Sequence, residues 1–286
     1  MSRIAIATCA DLPHLDDDGP ALQAALEATG VHSTPAVWDD ATVDWAAFDL
    51  VVLRSTWDYP SRHEEFLEWV DRVGQLSPVL NAPEVVRWNT DKRYLRDLAA
   101  AGVPVVETWW PAAPEALPAL DDYVVKPAVS AGCRDTRRFT RDEREAATQM
   151  VASLQATGRT VMVQPYLEAI DGYGETALLY IGGRYSHAIR KGAMLEPGRP
   201  LEQELFRHED ITGRVATDAE REVAEQALDA APNGRASLLY ARVDLVPGPE
   251  GGPVVLELEL TEPSLFLGFD AEAPGRLAEA IARRLG

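Results

Sequence analysis

The feature that most constrains the fold is an alternation of short apolar runs with helix-spaced segments, sustained from the start of the chain to about residue 83. "RIAIATCA" (3–10) reads as a buried strand. "GPALQAALEATG" (19–30) follows with helical spacing and closes on Gly30. "HSTPAVW" and "FDLVVLRS" read as a second and a third strand, "HEEFLEWVDRV" as a helix, and "PVLNAP" as one more short strand. Strands separated by helices cannot be joined by tight turns, so they form a parallel sheet with crossovers. Such sheets bind ligands beyond the carboxyl ends of their strands. "RSTWDYP" (Arg54 to Pro60) occupies one of those ends.

Beyond residue 90 the pattern changes. A helix is expected over 90–101, ending at Gly102, then a strand over 103–110 and a Pro/Ala-rich connector. "YVVKPA" is a strand, 141–157 a helix and "TVMVQPYL" a strand. "ETALLYIGGRYSHAIRKG" suits two antiparallel strands joined through Gly182–Gly183. "LYARVDLVPGPEGGPVVLELEL" repeats that shape around a Gly/Pro turn at 247–253. Helices are expected at 217–230 and 273–284. The reading is an α/β unit followed by α+β units, divided at 1–84, 85–163 and 164–286.

The net charge of −19 disfavours nucleic acid and anionic membranes as partners but leaves room for a local basic pocket. No apolar stretch approaches the length of a membrane span, and the N-terminus lacks a long signal-peptide core. The two cysteines, Cys9 and Cys133, form no CxxC pair, which argues against a disulfide framework or structural zinc. A cytoplasmic protein is expected.

Three constellations carry chemistry. In "VVLELEL" the strand period puts Glu257 and Glu259 on one face, and Asp244 of "ARVDL" lies on the preceding strand. Three carboxylates so close repel one another unless a cation sits among them. Hard oxygen donors suit Mg²⁺, which borrows its remaining ligands from water and phosphate. The alternative is a solvated edge-strand face. Lys92 near a helix start and Lys126 within a β-branched run are awkwardly placed cations unless an anion awaits them. The loop at Ser130–Ala131–Gly132 offers backbone N–H groups to a phosphate. The alternatives are a surface helix lysine and a snorkelling strand lysine. Finally, Gln164, Pro165, Tyr166 and Leu167 form an extended segment whose Pro165 carbonyl and Leu167 N–H match the edge of adenine, with Glu175 or Asp171 near enough in sequence for ribose hydroxyls. A strand that merely ends at a proline reads the same way.

The order of these pieces, with "RWNTDKRYL", "VVKPAVSAG", "VMVQPYL", "GETALLYIGG" and "SHAIRKGAM", resembles the ATP-grasp ligases over roughly residues 85–270. The resemblance implies an ATP-grasp fold with an N-terminal Rossmann-like pre-ATP-grasp domain, residues 85–163 forming the small lid subdomain and 164–286 the large one. It implies ATP and Mg²⁺ as cofactors. Lys92 and Lys126 would hold the phosphates under the loop at Ser130–Cys133. Gln164–Leu167 would be the adenine hinge, Glu175 would reach the ribose, and Asp244, Glu257 and Glu259 would bind Mg²⁺. Arg242 would steady the transferring phosphoryl group. Glu259 departs from the asparagine often found at the third metal position, and the loop is poor in glycine. Together with "RSTWDYP", these phrases are similar to the O-ureido-serine cyclo-ligase branch of cycloserine biosynthesis, which joins a carboxylate to an internal aminooxy nitrogen.

The implied reaction phosphorylates a substrate carboxylate and lets a nitrogen displace the phosphate. Its partner is a small amino-acid-like substrate, with a homodimer left open. Substrate recognition is expected from Arg54, Ser55, Thr56, Trp57 and Asp58; the alternative for Ser55, Thr56 and Asp58 is capping the helix that begins near Ser61. Arg190 and Lys191 are candidates to reach substrate or γ-phosphate, or else surface charges. Glu262 and Ser264 are candidates to line the acceptor site, whereas His187 and, as its alternative, Trp57 read as packed and Cys133 as a small loop residue. Two rivals remain: an intermolecular, glutathione-synthetase-like ligase, and a nucleotide-binding regulatory module without turnover.

Overall fold

A computed structural model describes residues 2–285 apart from 133, 194 and 196–209. Cys133 lies outside the described residues. The first unit is as the alternation requires. Strands β1 (Arg3–Thr8), β2 (His32–Val37), β3 (Leu50–Ser55) and β4 (Val79–Leu80) form one parallel sheet in the order β2-β1-β3-β4. Every residue of β3 is buried, because both faces of a parallel sheet are covered. Helix α2 (His63–Gly74) covers one face, packing Phe66, Trp69, Val70 and Val73 onto Trp38, Val51 and Leu53. On the other face Ile4, Ile6, Leu50 and Val52 share a core with helices α1 (Gly19–Ala28) and α8 (Ala273–Ala282). That core also holds Leu179, Ile189 and Tyr240 from the next sheet, so the two units are fused rather than tethered.

The second sheet has five antiparallel strands in the order β10-β9-β8-β11-β12: β8 (Glu175–Ile181), β9 (Arg184–Lys191), β10 (Ile211–Arg214), β11 (Tyr240–Pro247) and β12 (Pro253–Glu259). Gly182 and Gly183 turn β8 into β9 with φ of 58° and 73°, left-handed values that glycine adopts without strain. Helix α7 (Asp218–Asp229) opens with a capping box between Thr217 and Glu220 and packs Ala224, Ala227 and Leu228 beneath this sheet. The third sheet, β6-β5-β7, is built from β5 (Asp122–Pro127), β6 (Arg137–Thr140) and β7 (Val161–Pro165). Helix α5 (Arg144–Ala156) covers one of its faces through Ala147, Val151 and Leu154. The opposite face, with Val124, Lys126 and Gln164, opens onto a cavity.

Four elements were not expected from the sequence: α3 (Pro83–Asn89), β6, α6 (Ala169–Tyr173) and β10. The helix expected over 90–101 is the shorter α4 (Tyr94–Ala100), and Lys92 lies in the break between it and the separate α3. The strand expected over 103–110 makes isolated bridges instead, Val105 to Val255 of β12 and Trp109 to Val163 of β7. That stretch spans two sheets and joins neither as a full ladder.

The free edge of β12 is closed at Val255 by backbone hydrogen bonds with Pro104 and Val106, and beyond it by side chains. Asn89 donates to Leu258 O at 2.7 Å and accepts from Leu260 N at 2.7 Å, and the Tyr94 hydroxyl accepts from Leu258 N at 2.8 Å. Asn81 does the same deeper in the fold, donating to Tyr240 O and Leu260 O and accepting from Leu239 N. An edge satisfied in this way has no spare backbone groups to recruit another strand there. Asn81→Ala strands three buried backbone groups, each worth about 1–3 kcal/mol, so it is expected to lower stability by about 3 kcal/mol or more in denaturant titration. Leu76→Ala, at an exposed site, should stay within about 0.5 kcal/mol of the wild type.

Candidate active site

The acid strand and its neighbours set the charge pattern. Asp244 on β11 stands opposite Glu257 on β12, and Arg242 stands opposite Glu259. A bulge after Asp244 leaves Leu256 without a cross-strand partner and ends the regular pairing just there. Asp244 is buried and holds two cations: Lys191 Nζ lies 2.6 Å from Oδ2, and Arg242 Nε lies 2.9 Å from Oδ1. Arg242 also pairs with Glu259. Lys191 bridges onward to Glu175 at 2.8 Å. Strand alternation sends Lys191 into the cavity, and Arg190 to the other side.

Across the cavity stands the three-stranded sheet with its loop. The Lys92 ammonium donates to Ser130 O at 2.7 Å and to Ser130 Oγ at 3.2 Å, and it pairs with Glu257 at 3.1 Å. It therefore latches the loop to the acid strand. Lys126 points from β5 into the same space, where Lys92, Lys126, Ser130, Gly132, Gln164, Pro165, Tyr166, Leu167, Glu175, Lys191, Arg242, Glu257 and Glu259 all meet around a cavity of about 260 Å³. Gly132 turns the loop with φ of 61°. Gln164 donates to Thr108 Oγ1 at 3.0 Å, which fixes the start of the 164–167 segment.

Burial and neighbouring charges together set the acidities. Burial pushes the Glu257 carboxyl up, but Lys92 and Lys126 outweigh it and hold the group below its ordinary value. Burial likewise works against Asp244, and Arg242 and Lys191 overcome it, bringing the carboxyl down to about 2. Glu259 goes the other way, to about 7, because burial and the charges of Glu257 and Asp244 exceed the relief from Arg242. Glu262 is pushed up to about 8, chiefly by burial and next by Glu259.

Two of the three expected carboxylates are placed to hold a divalent cation. Among the described residues no three carboxylates stand at metal-holding spacing. Asp244 is taken up by Lys191 and Arg242, while Glu257 and Glu259 face the cavity, each about a quarter exposed. Two carboxylates on the cavity wall are donors of the kind that suit Mg²⁺, which completes its shell with water and phosphate oxygens.

The segment expected to bind substrate is mostly structural. Arg54, near the end of β3, is buried, donating to Pro263 O at 2.8 Å and pairing with Asp16 and Asp18 at 3.3 Å each. Ser55 accepts from Asp16 N, and Thr56 is fully buried. Asp58 accepts from the Trp38 indole and from Arg62. None of these four lines the cavity, and none caps α2, whose N-cap is Arg62. Trp57 does line it, and its indole donates to Glu262 O at 2.9 Å. Arg190 also stands apart, bonded to the carbonyls of Tyr173 and Gly172. His187 is packed against the carbonyls of Leu265 and Phe266. Glu262 and Ser264 line the cavity, as do Tyr59 and Asn89, which the sequence reading passed over. Tyr59 lies within the quoted stretch Arg54–Pro60, one position past the five candidates named from it, and its ring packs against Phe66 and His63.

Residues 4–81 match the family described as the N-terminal domain of D-cycloserine synthetase DcsG. The whole chain is 40% identical to the cycloserine biosynthesis protein DcsG of Streptomyces lavendulae, over 100% of this chain and 99% of that protein. The crystal structure of D-cycloserine synthetase DcsG superposes with a TM-score of 0.92 at 39% identity, over 100% of both chains. D-alanine–D-alanine ligase from Bacillus anthracis, complexed with ATP, shares the fold at a TM-score of 0.67 and 14% identity, over 100% of this chain and 97% of that one. No helix among the described residues is long and apolar enough to cross a membrane. The chain belongs to the D-cycloserine synthetase family of ATP-grasp carbon–nitrogen ligases.

Proposed function

We propose that this ligase activates the carboxylate of a small amino-acid-like substrate by phosphorylation from ATP and then joins it to a nitrogen of the same molecule, O-ureido-serine being the substrate to try first. The observation that carries this reading is the meeting of Lys92 and Lys126 with Glu257 and Glu259 around one cavity. Lys92 and Lys126 take the phosphate charge, helped by backbone N–H groups of the loop at Ser130–Gly132. The segment Gln164–Leu167 receives the adenine edge, and Glu175 the ribose. Glu257 and Glu259 hold Mg²⁺, with Asp244 behind them fixing Lys191 and Arg242; bound there, the ion supplies charge neutralisation for phosphoryl transfer. Arg242, held between Asp244 and Glu259 with its guanidinium on the cavity wall, steadies the transferring group. Closing the loop over the phosphates keeps water from the acyl phosphate.

Incubation with Mg²⁺, ATP and O-ureido-serine should release ADP and phosphate together with a cyclised product resolved by mass spectrometry. Lys126→Ala should lower kcat/KM by about 100-fold or more, as expected when a charge-stabilising group is removed. AMP and pyrophosphate, or full activity in the variant, would contradict the reading. An intermolecular product would move the reading to a linear ligase.

The raised carboxyls also predict a pH dependence of folding. Glu259 and Glu262 bind protons more tightly in the folded state, so their contribution to stability is full below about pH 4.5 and is lost as pH rises towards 8. Water softens the share of the partly exposed Glu259, leaving Glu262 the larger part. The melting temperature of the metal-free protein should therefore fall between about pH 5 and 8. Glu262→Gln should flatten that fall, and an unchanged slope would contradict it.

A further inference from the structure

We infer that Glu262 is the proton acceptor for the attacking nitrogen, with Tyr59 and the Trp57 indole as its positioning groups. The inference rests on the ligase reading above and adds to it the group that completes the second half of the reaction. Amide formation from an acyl phosphate must dispose of a proton. As the nitrogen lone pair forms the C–N bond, the C–O bond to phosphate breaks and phosphate leaves with that electron pair. The N–H proton must then go to a base, and from there to solvent.

The cavity holds several carboxylates, but most are committed. Asp244 is clasped by Lys191 and Arg242, Glu175 by Lys191, Glu257 by Lys92 and Glu259 by Arg242. Glu262 differs. It lines the same cavity three residues past the acid strand, is 9% exposed, and has no ion-pair partner within 4 Å among the described residues. The Tyr59 hydroxyl lies close enough to its side chain to favour the carboxylate form, and its backbone carbonyl takes the Trp57 indole N–H at 2.9 Å. Arg54, donating to Pro263 O, pins the next residue. A hydroxyl fills one acceptor position of a carboxylate and leaves others for a substrate N–H.

The surroundings favour a base over a permanent anion. The groups acting on Glu262 are Glu259 and Glu257 from β12, Lys92 from the break between α3 and α4, Tyr59 from beyond β3, and Tyr240 of β11, whose ring lies under Arg54. Burial and the two acids outweigh Lys92, and the carboxyl is pushed up to about 8. A base works best when its proton affinity lies near the working pH. Lys92 is the proposed phosphate contact, whereas Glu262 neighbours Trp57 and Tyr59, which follow β3 of the first sheet. A nitrogen approaching the acyl phosphate from the side of Trp57 and Tyr59 meets Glu262.

The test separates the two half-reactions. Hydroxylamine traps an acyl phosphate as a hydroxamate and, being neutral at neutral pH, has little need of a base. Glu262→Gln should form ADP and hydroxamate within a few-fold of wild type, while its ligated product falls by about 100-fold or more. Product formation within a few-fold of wild type overturns the inference, and so does equal loss of hydroxamate and product, which marks a structural role. Should Glu262→Gln fail to fold, Tyr59→Phe should show the same split at about 10-fold; unchanged ligation in that variant also overturns it. A wild-type protein that yields neither ADP nor hydroxamate removes the ligase reading, and this inference with it.

Discussion

The rest of the structure depends on mutual neutralisation between Asp244 and the pair Lys191 and Arg242. A carboxylate, an ammonium and a guanidinium are each costly to bury alone, and removing one of a buried set leaves its partners uncompensated. The set assembles because β9, β8 and β11 are in one register, which brings Lys191 beside Glu175 and leaves Asp244 two strands away within reach. A slip of one residue in β11 would send Asp244 and Arg242 to the opposite face. The ion cluster and the pairing of the five-stranded sheet thus enforce each other.

With Asp244 fixed, the cations on the cavity wall are fixed too, and the two partly exposed acids on β12 are left as the adaptable part of the site. The loop after β12 is held differently. Arg54 donates to Pro263 O, Asp18 accepts from the backbone N–H groups of Leu265 and Leu267, and the Trp57 indole reaches Glu262 O. The first parallel sheet therefore acts on the site mainly by clamping the loop after the acid strand. Its shared core with the antiparallel sheet makes that clamp rigid.

Much of this could be read from the residues because the signals were local. The strand–helix alternation to residue 83, the Gly182–Gly183 hairpin and the alternation that puts Glu257 with Glu259 all follow from short-range periodicity. The failures were non-local. Arg54 looks like a carboxylate clamp at a strand's end, but its partner Pro263 is 209 residues away and Asp16 and Asp18 are 38 and 36 away. Residues 103–110 have strand-like composition yet divide their bridges between two sheets. The four-residue strands β6 and β10 are too short and too polar for a period to stand out. Lys191 and Arg190 are neighbours of one charge sign, and pairing register alone decides which faces the cavity.

The central claim is that this cavity makes a carboxylate reactive by phosphorylating it. The most direct measurement uses substrate labelled with ¹⁸O in its carboxylate and follows the label by mass spectrometry of the released phosphate. One ¹⁸O per phosphate is the predicted result, since the oxygen that attacks phosphorus leaves with it when nitrogen attacks carbon. Unlabelled phosphate alongside labelled product, or label appearing in AMP, would contradict the account.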